Sequence, residues 1–559
     1  MNSIYFQRLI ALTTVIVGPV SCANILFLPM HMFASHKLSH QPLAERLAQH
    51  GHNVTMWNTF LVSQRINSKL INQIDLVVKS GDKDLNDQFL YENNTEVLDA
   101  WNAEHVGPIM FYKYWKPSIE ICRLTFEQHG SEIMKLAGFR WDLIVVDTIM
   151  SPCGYLIATI AHSITGAPHI LTSTSFQMKN VQRHRRIPEP IADATTPERF
   201  HDSSKLFYRM KHWFYWQFID RFIETYIDRS IDNILQQFKT TEAGSKLLKN
   251  LYFDYQESSA RAQMLVFFYP AALDVARPTV PDEVRSDDMK CKSPDQNQNI
   301  SLPEPYRSFV STERSKGTII VGFGHQINWH TVPQNTVDVF RQAFAQLHEY
   351  RIIWQYNGPS MFSRDSGTKP SRQSHILTEA WLPQSQLLQH ASTKLFISHM
   401  GLKSVREGVC ANVAFVALPV YAEQFLNTRA MVDRLRTGAS LDKFSLTPEK
   451  IVAAVKQALG QNTSKFYHQN LKKMRETMHD IIRERIDVAI DRIEFVLRHK
   501  TALSKGILSL RSRKLPLMQY LCLDIVAAFG FGVFVIKTIV ILYVKWLCDA
   551  SGNIYSAEH

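Results

Sequence analysis

Between Trp381 and Gln424 the chain sets an indole, an imidazole and two carboxylates at short intervals, in WLPQ (381–384), FISHMGLKSVREG (396–408) and LPVYAEQ (418–424). These residue types suit the clamping of a nucleotide sugar. Trp381 offers a flat apolar face for a uracil ring, Glu407 can accept hydrogen bonds from ribose hydroxyls, and Glu423 with Gln424 can take the hydroxyls of the sugar. The apolar run Lys394 to Ser398 predicts a buried strand, His399-Met400-Gly401 its exit turn, and Leu402 to Cys410 a helix. His399 then sits at a strand's carboxyl end, where open α/β sheets bind ligands and the next helix aims its unpaired N–H groups at an anion. A diphosphate fits there. No metal is required if His399 and the helix terminus neutralise its charge.

A second set of residues lies in the first half. Asn24 to Met30 predicts a strand, Ser39 to His50 an amphipathic helix ended by Gly51, and His52 to Trp57 another strand. His36 falls in the loop between strand and helix, a position suited to a general base that takes the proton of an attacking hydroxyl. Asp147 closes the apolar run Leu143 to Val146 at another strand's carboxyl edge. Its carboxylate can fix the tautomer of an imidazole and stabilise the imidazolium. His40, expected at the start of the helix, and His31 are rivals for the base. Asp82-Lys83-Asp84 has the letters of a metal-binding acidic pair but lies in a polar stretch read as a solvated turn. Gly322-Phe323-Gly324 opens a dinucleotide fingerprint that Ile327 breaks at the third glycine.

The block from Trp381 to Gln424 resembles the signature of UDP-glycosyltransferases, in particular the UDP-glucuronosyltransferases of animals. SHKLSHQPLAERLAQHGHNVT and WDLIVVDTIMSPCG resemble that family's catalytic-His and catalytic-Asp regions. The resemblance implies two Rossmann-like domains facing across a cleft, the GT-B type of α/β fold, and inverting, metal-independent transfer of glucuronic acid or glucose to a small lipophilic acceptor. It implies His36 as base and Asp147 as its orienting partner. It places the UDP-sugar, the donor substrate, on Gly324, His325, Trp381, Leu382, Gln384, His399, Gly401, Lys403, Ser404, Glu407, Glu423 and Gln424, and no cofactor is held permanently. Departures from the family pattern fall on this set. Met400 replaces the first glycine after the His, and Lys403 a small polar residue. Gly322-Phe323-Gly324-His325 replaces a serine-flanked phosphate loop, with Lys403 and His325 able to restore donors and charge. Gln355 replaces a basic residue, and Glu423 stands for the usual Asp. The alternative is a catalytically weak relative that binds UDP-sugar or an active partner subunit.

At 559 residues the chain exceeds one ordinary core. A strand-loop-helix-strand pattern at Asn24 to Trp57 recurs at Gly317 to Tyr356, so two domains are expected: an acceptor-binding domain over 24–281, a linker over 282–316 and a donor-binding domain over 317–500. Leu9 to Val20, after Arg8 and ending in small residues at Ala23, reads as a signal peptide over 1–23. Ile525 to Val544 is apolar apart from Lys537 and Thr538, which predicts a transmembrane helix over 521–545 and a short cytosolic tail over 546–559. Arg511, Arg513 and Lys514 precede this span and only Lys545 follows it, a bias that alone favours the opposite orientation. The signal peptide takes precedence, giving a single-pass type I protein of the endoplasmic reticulum membrane with a lumenal body. Sequons at Asn53, Asn93, Asn299 and Asn462 fit that placement.

The net charge of +11 alone admits a nucleic-acid partner. A secretory route argues for a membrane, UDP-sugar and lipophilic acceptor as partners instead, with homo- or hetero-oligomers possible. Arg183-His184-Arg185-Arg186 reads as a solvated loop. The aromatic-rich segment Phe207 to Ile227 reads as an acceptor-pocket wall, a membrane-facing surface or core helix packing. Cys122, Cys153, Cys291 and Cys410 are too few and scattered to announce a disulfide framework or a zinc site.

Overall fold

The computed structural model describes residues 22–555 except 30–33, 61–64, 82–100, 102–107, 176–177, 188–203, 245–247, 275–278, 287–290, 292–301, 312–314, 325–326, 360–374, 481–482, 505, 509, 511–512, 514 and 521. The signal-peptide run, His31, Asp82, Asp84, His325 and the sequons Asn93 and Asn299 lie outside the described residues.

Two parallel sheets organise the body. The front sheet contains β1 (Asn24–Leu28), β2 (Asn53–Phe60), β3 (Asn72–Val77), β4 (Leu143–Asp147), β5 (His169–Ser173), β6 (Leu265–Phe267) and β7 (Glu283–Arg285), in spatial order β3-β2-β1-β4-β5-β6-β7. The rear sheet contains β8 (Thr318–Gly322), β9 (Arg351–Gln355), β10 (Ile376–Glu379), β11 (Thr393–Ser398), β12 (Ala414–Ala417) and β13 (Gly438–Ser440), in order β10-β9-β8-β11-β12-β13. Each has the strand reversal of a Rossmann-like domain, between β1 and β4 in front and between β8 and β11 behind. The central strands read as unbroken apolar runs, LIVVD in β4 and TIIVG in β8, because helices cover both faces of such a sheet. Every residue of β4, β5 and β8 is buried.

Several elements differ from the sequence-based expectation. The first helix spans Ala34–Gln49, so His36 lies in its first turn and not in a loop, and His40 lies one turn further on instead of at its start. Pro42 sits inside this helix. The second strand runs to Phe60 rather than Trp57. The expected linker contains β7, a member of the front sheet, while Leu302, Tyr306 and Val310 belong to the rear core with Ile320, Phe396 and Phe415. The helix Arg485–Arg498 returns to the front lobe. Arg46 Nε donates to Asp487 Oδ1 at 2.8 Å, His50 Nδ1 lies 2.9 Å from Glu494 Oε1, and Lys500 Nζ donates to Asp142 Oδ1 at 2.7 Å. Charge pairing between segments hundreds of residues apart has no local signature.

Arg183 to Arg186 form no solvated loop. Arg185 is fully buried, donating to the carbonyls of Ser259 and Ala262 at 3.2 and 2.8 Å and paired with Asp282 at 2.5 Å. Arg183 donates to Asp220 and Glu224, and His184 pairs with Glu224. All four of the scattered cysteines are joined: Cys122 to Cys153, linking the helices Pro108–Gln128 and Pro152–Thr165, and Cys291 to Cys410 on the helix Leu402–Ala411.

Residues 508–559 form a separate compact unit. Its helix Leu523–Tyr555 continues past the expected end of the span, and 26 of its residues, Leu523 to Cys548, are long and apolar enough to cross a bilayer by length and composition.

Candidate active site

Both sheets bring their chemistry to the strand reversal. His36 follows β1 and Asp147 ends β4, while Gly324 follows β8 and His399 follows β11. Each pair therefore flanks the crevice where adjacent connections leave in opposite directions.

His36 Nδ1 is 3.0 Å from Asp147 Oδ2 and 2.6 Å from Thr174 Oγ1. Asp147 is completely buried, and its Oδ1 accepts the N–H of Ile149 at 3.0 Å. Burial pushes its carboxyl up, but the charge and hydrogen bond of His36 outweigh this and hold it below the usual carboxylate range. His40 is unsuited to be the base. Its Nδ1 donates to the His36 carbonyl at 2.9 Å, its Nε2 accepts from Thr172 at 2.7 Å, and burial lowers its pKa so that the ring stays neutral. His40 instead fixes the turn that carries His36. Thr174, one residue beyond β5, was missed; a threonine at a strand exit carries no local signal.

In the rear lobe, His399 packs between two glycines. A Cβ on Gly324 would lie 2.9 Å from its Nε2 and one on Gly401 only 2.5 Å away, so both positions require glycine. The His399 Nδ1 is buried with no hydrogen-bond partner. Burial lowers its pKa to about 4, against a weaker raising effect from the Gly322 backbone. With its pKa lowered, ligand-free His399 is an uncharged N–H donor at neutral pH, beside the N-terminus of the helix Leu402–Ala411.

Gln384 donates to Ser404 Oγ at 3.2 Å and to Glu407 Oε2 at 2.5 Å, joining three of the expected donor residues. Burial raises the Glu407 pKa, partly offset by the Gln384 bond and by Lys403 one turn earlier. Trp381 is 65% exposed. Leu382, by contrast, points into the rear hydrophobic core, so only its backbone can meet a ligand. Gln355 is buried and donates to the Gly324 carbonyl at 3.1 Å, shaping the loop in place of carrying charge.

The turn that carries Glu423 and Gln424 is held by its own side chains. Gln424 Oε1 accepts from the backbone of Val420 at 2.8 Å and Tyr421 at 3.1 Å, which leaves its amide nitrogen for a hydroxyl. Lys443 Nζ donates to the Val420 carbonyl at 2.9 Å. Burial raises the Glu423 pKa, and the opposing influences include the charge of His36 and the nearby Ser175 hydroxyl, both of the front lobe. Front and rear chemistry thus meet across one gap. A buried relay also crosses it: Tyr269 donates to Asn427 Oδ1 at 2.6 Å and Asn427 donates to the Met400 carbonyl at 2.8 Å. Neither Tyr269 nor Asn427 was singled out from the sequence.

Met150, Met400 and Ala422, in the segments that follow β4, β11 and β12, hold φ of +45°, +66° and +53°. At Met400 two effects compete. The left-handed backbone costs about 1–3 kcal/mol. Removing the fully buried side chain costs roughly 2–5 kcal/mol. Met400→Gly is therefore expected to lower stability by about 1–2 kcal/mol in denaturant titrations, and a gain in stability would show that strain dominates.

A family profile described as UDP-glucoronosyl and UDP-glucosyl transferase matches residues 23–553. Human UDP-glucuronosyltransferase 2B15 is 23% identical over 536 residues, covering 94% of this chain and 93% of the relative. The UDP-glycosyltransferase UGT5 of Dactylopius coccus is 23% identical over 509 residues, covering 90% and 87%. Among solved structures, Phytolacca americana UGT2 complexed with UDP-2fluoro-glucose and pterostilbene is similar in fold, with a TM-score of 0.52 and 15% identity over 85% of this chain and all of that one. With two Rossmann-like domains in the GT-B arrangement and a profile match along nearly its whole length, the chain belongs to the UDP-glucoronosyl and UDP-glucosyl transferase family.

Proposed function

We propose that this protein is an inverting, metal-independent UDP-glycosyltransferase that moves glucuronic acid or glucose to a hydroxyl of a small lipophilic acceptor. The observation that carries the reading is the His36–Asp147 contact at 3.0 Å, with Glu423 of the other lobe within electrostatic reach of His36. With Nδ1–H directed to Asp147, His36 Nε2 takes the acceptor's proton as its oxygen bonds to the anomeric carbon. The bond from that carbon to the UDP oxygen breaks on the opposite face, and UDP leaves as an anion. Asp147 stabilises the imidazolium, and the amide end of the helix Leu402–Ala411 with the His399 N–H meets the diphosphate. Trp381 stacks on uracil, Glu407 and Gln384 hold ribose, and Glu423 with the Gln424 amide holds the sugar.

The test incubates microsomes carrying the full chain with UDP-glucuronate or UDP-glucose and a panel of phenols, beside His36→Ala. Product above that control supports transfer. Its absence with every donor leaves the second reading, a donor-binding partner of weak activity, which the neutral His399 and the strained Met400 favour.

Donor binding has its own signature. A bound diphosphate raises the His399 pKa from about 4, so protonation and UDP binding assist each other. Relative to His399→Gln, wild-type affinity for UDP is expected to rise as pH falls from 7 toward 5, by up to about tenfold per pKa unit gained. Parallel pH curves for the two proteins in calorimetric titrations would remove His399 from the diphosphate site.

The reading includes a lumenal body anchored by Leu523–Cys548, supported by two disulfides of the kind that persist in oxidising compartments. Asn462 is exposed in the first turn of the helix Gln461–His479. Asn53 is engaged in a side-chain ladder, donating to Asn24 and accepting from Asn72, both at 2.8 Å. Glycosidase treatment is expected to remove a glycan that Asn462→Gln also abolishes and that Asn53→Gln leaves. An unmodified Asn462 in cells would count against the lumenal placement.

A further inference from the structure

Tyr269 takes part in both lobes. It lies two residues beyond β6 of the front sheet, yet its side chain and that of Leu273 pack in the rear hydrophobic core with Phe396, Met400 and Ala430. The rear lobe also grips the backbone of this segment, where Arg434 donates to the carbonyls of Ala272 and Asp274 at 2.5 and 2.9 Å. From the front, Arg285 at the end of β7 donates to the Asp274 carboxylate at 2.6 Å. The exit of β6 is therefore a strap fastened to both lobes.

That strap reaches one peptide of the donor site. Tyr269 donates to Asn427 Oδ1 at 2.6 Å, and Asn427 Nδ2 donates to the Met400 carbonyl at 2.8 Å. Tyr269 is 3% exposed, and Asn427 and Met400 are fully buried. A carbonyl can only accept, so the amide nitrogen must face Met400 and its oxygen must face the tyrosine. Burial raises the Tyr269 pKa, which keeps that hydroxyl a donor. On the other side of the turn the Met400 N–H donates to Ser398 Oγ at 3.1 Å. The Met400–Gly401 peptide is trans, and in a trans peptide the carbonyl and the following N–H point in opposite directions. Holding the Met400 carbonyl on Asn427 thus turns the Gly401 N–H away from the buried amide. Gly401 is the N-cap of the helix Leu402–Ala411 and lies against His399 Nε2. Helix end and imidazole are the two donors assigned above to the diphosphate.

We propose that Tyr269 and Asn427 are positioning residues for the donor diphosphate: they set the Met400–Gly401 peptide, and through it a front-lobe tyrosine controls how tightly the rear lobe holds phosphate. The inference rests on the donor-site reading and adds to it two buried residues that act through Met400. It also gives the left-handed Met400 a use, since its side chain packs in the core that Tyr269 enters while its carbonyl receives the relay. By linkage, UDP fastens the strap to the rear lobe as strongly as the strap favours UDP.

The test titrates the full chain in nanodiscs with UDP and with uridine, which lacks the diphosphate, for wild type, Tyr269→Phe, Asn427→Leu and the double variant. Tyr269→Phe is expected to raise the Kd for UDP about fivefold and Asn427→Leu about tenfold, while the Kd for uridine changes by less than about twofold in each. The double variant should bind UDP as Asn427→Leu does, because both changes act on one peptide. Two results would overturn the proposal. One is UDP affinity within about twofold of wild type in both single variants. The other is an equal loss for UDP and uridine, which would assign the pair a general role in holding the fold. A wild type that binds neither ligand would instead remove the donor-site reading itself, so the two failures are distinguishable. Tyr269→Phe keeps the buried ring, and its titrations carry the test if Asn427→Leu shows no cooperative thermal transition.

Discussion

Asp147→Asn is expected to lower kcat/KM by about 10³–10⁴-fold while leaving UDP affinity unchanged, the scale seen when the orienting carboxylate of a hydrolase triad becomes an amide. The reason is the tautomer. Asp147 Oδ2, 3.0 Å from His36 Nδ1, accepts that nitrogen's proton and keeps Nε2 able to receive one from the acceptor. An asparagine amide in the same place can donate to Nδ1, which forces the proton onto Nε2 and removes the base. Thr174 at 2.6 Å can accept from Nδ1 but carries no charge to stabilise an imidazolium. Initial rates with a phenol and either UDP-sugar, beside calorimetric titration with UDP, check both halves. A loss of less than about tenfold would mean that Asp147 does not set the state of His36 during transfer.

The largest effect on stability is expected at Arg185→Met, about 3–5 kcal/mol of lost unfolding free energy. Arg185 is fully buried beside Asp282, itself 1% exposed. Removing the guanidinium takes the Arg185 charge from that buried carboxylate and a donor from the carbonyls of Ser259 and Ala262. The cost arises from an uncompensated buried charge more than from any strength of the pair, so Arg185→Met with Asp282→Leu should recover part of the loss. Denaturant titrations of the two variants measure this directly. A double variant no more stable than the single would assign the loss to packing.

The strand reversals were legible because they depend on short-range patterning. The apolar runs of β1, β4, β8 and β11, each followed by a turn and a helix, are what burial on both faces demands. Asp147 and His399 lie at the carboxyl ends of β4 and β11, whereas His36 lies in the first turn of the helix that follows β1. The state of those residues was not legible. His399 looks in sequence like a charge for phosphate, yet burial among the glycines packed against it lowers its pKa and favours the neutral ring. Leu382 sits within the motif that suggested donor contacts, but its side chain belongs to the core. Arg183 to Arg186 resemble a solvated cluster because their carboxylate partners, Asp220, Glu224 and Asp282, lie tens of residues away and reach them only in the folded chain.

The sequence by itself determined the fold class, the family resemblance and which strand ends carry imidazoles and carboxylates, because periodicity, turn residues and motif spacing are properties of neighbours along the chain. Only the tertiary structure decided that four dispersed cysteines pair, that the helix Arg485–Arg498 returns to the front lobe, and that Arg185 is buried against Asp282. Each of these is a contact between groups remote in sequence, set by burial and by charge partners that no local window contains.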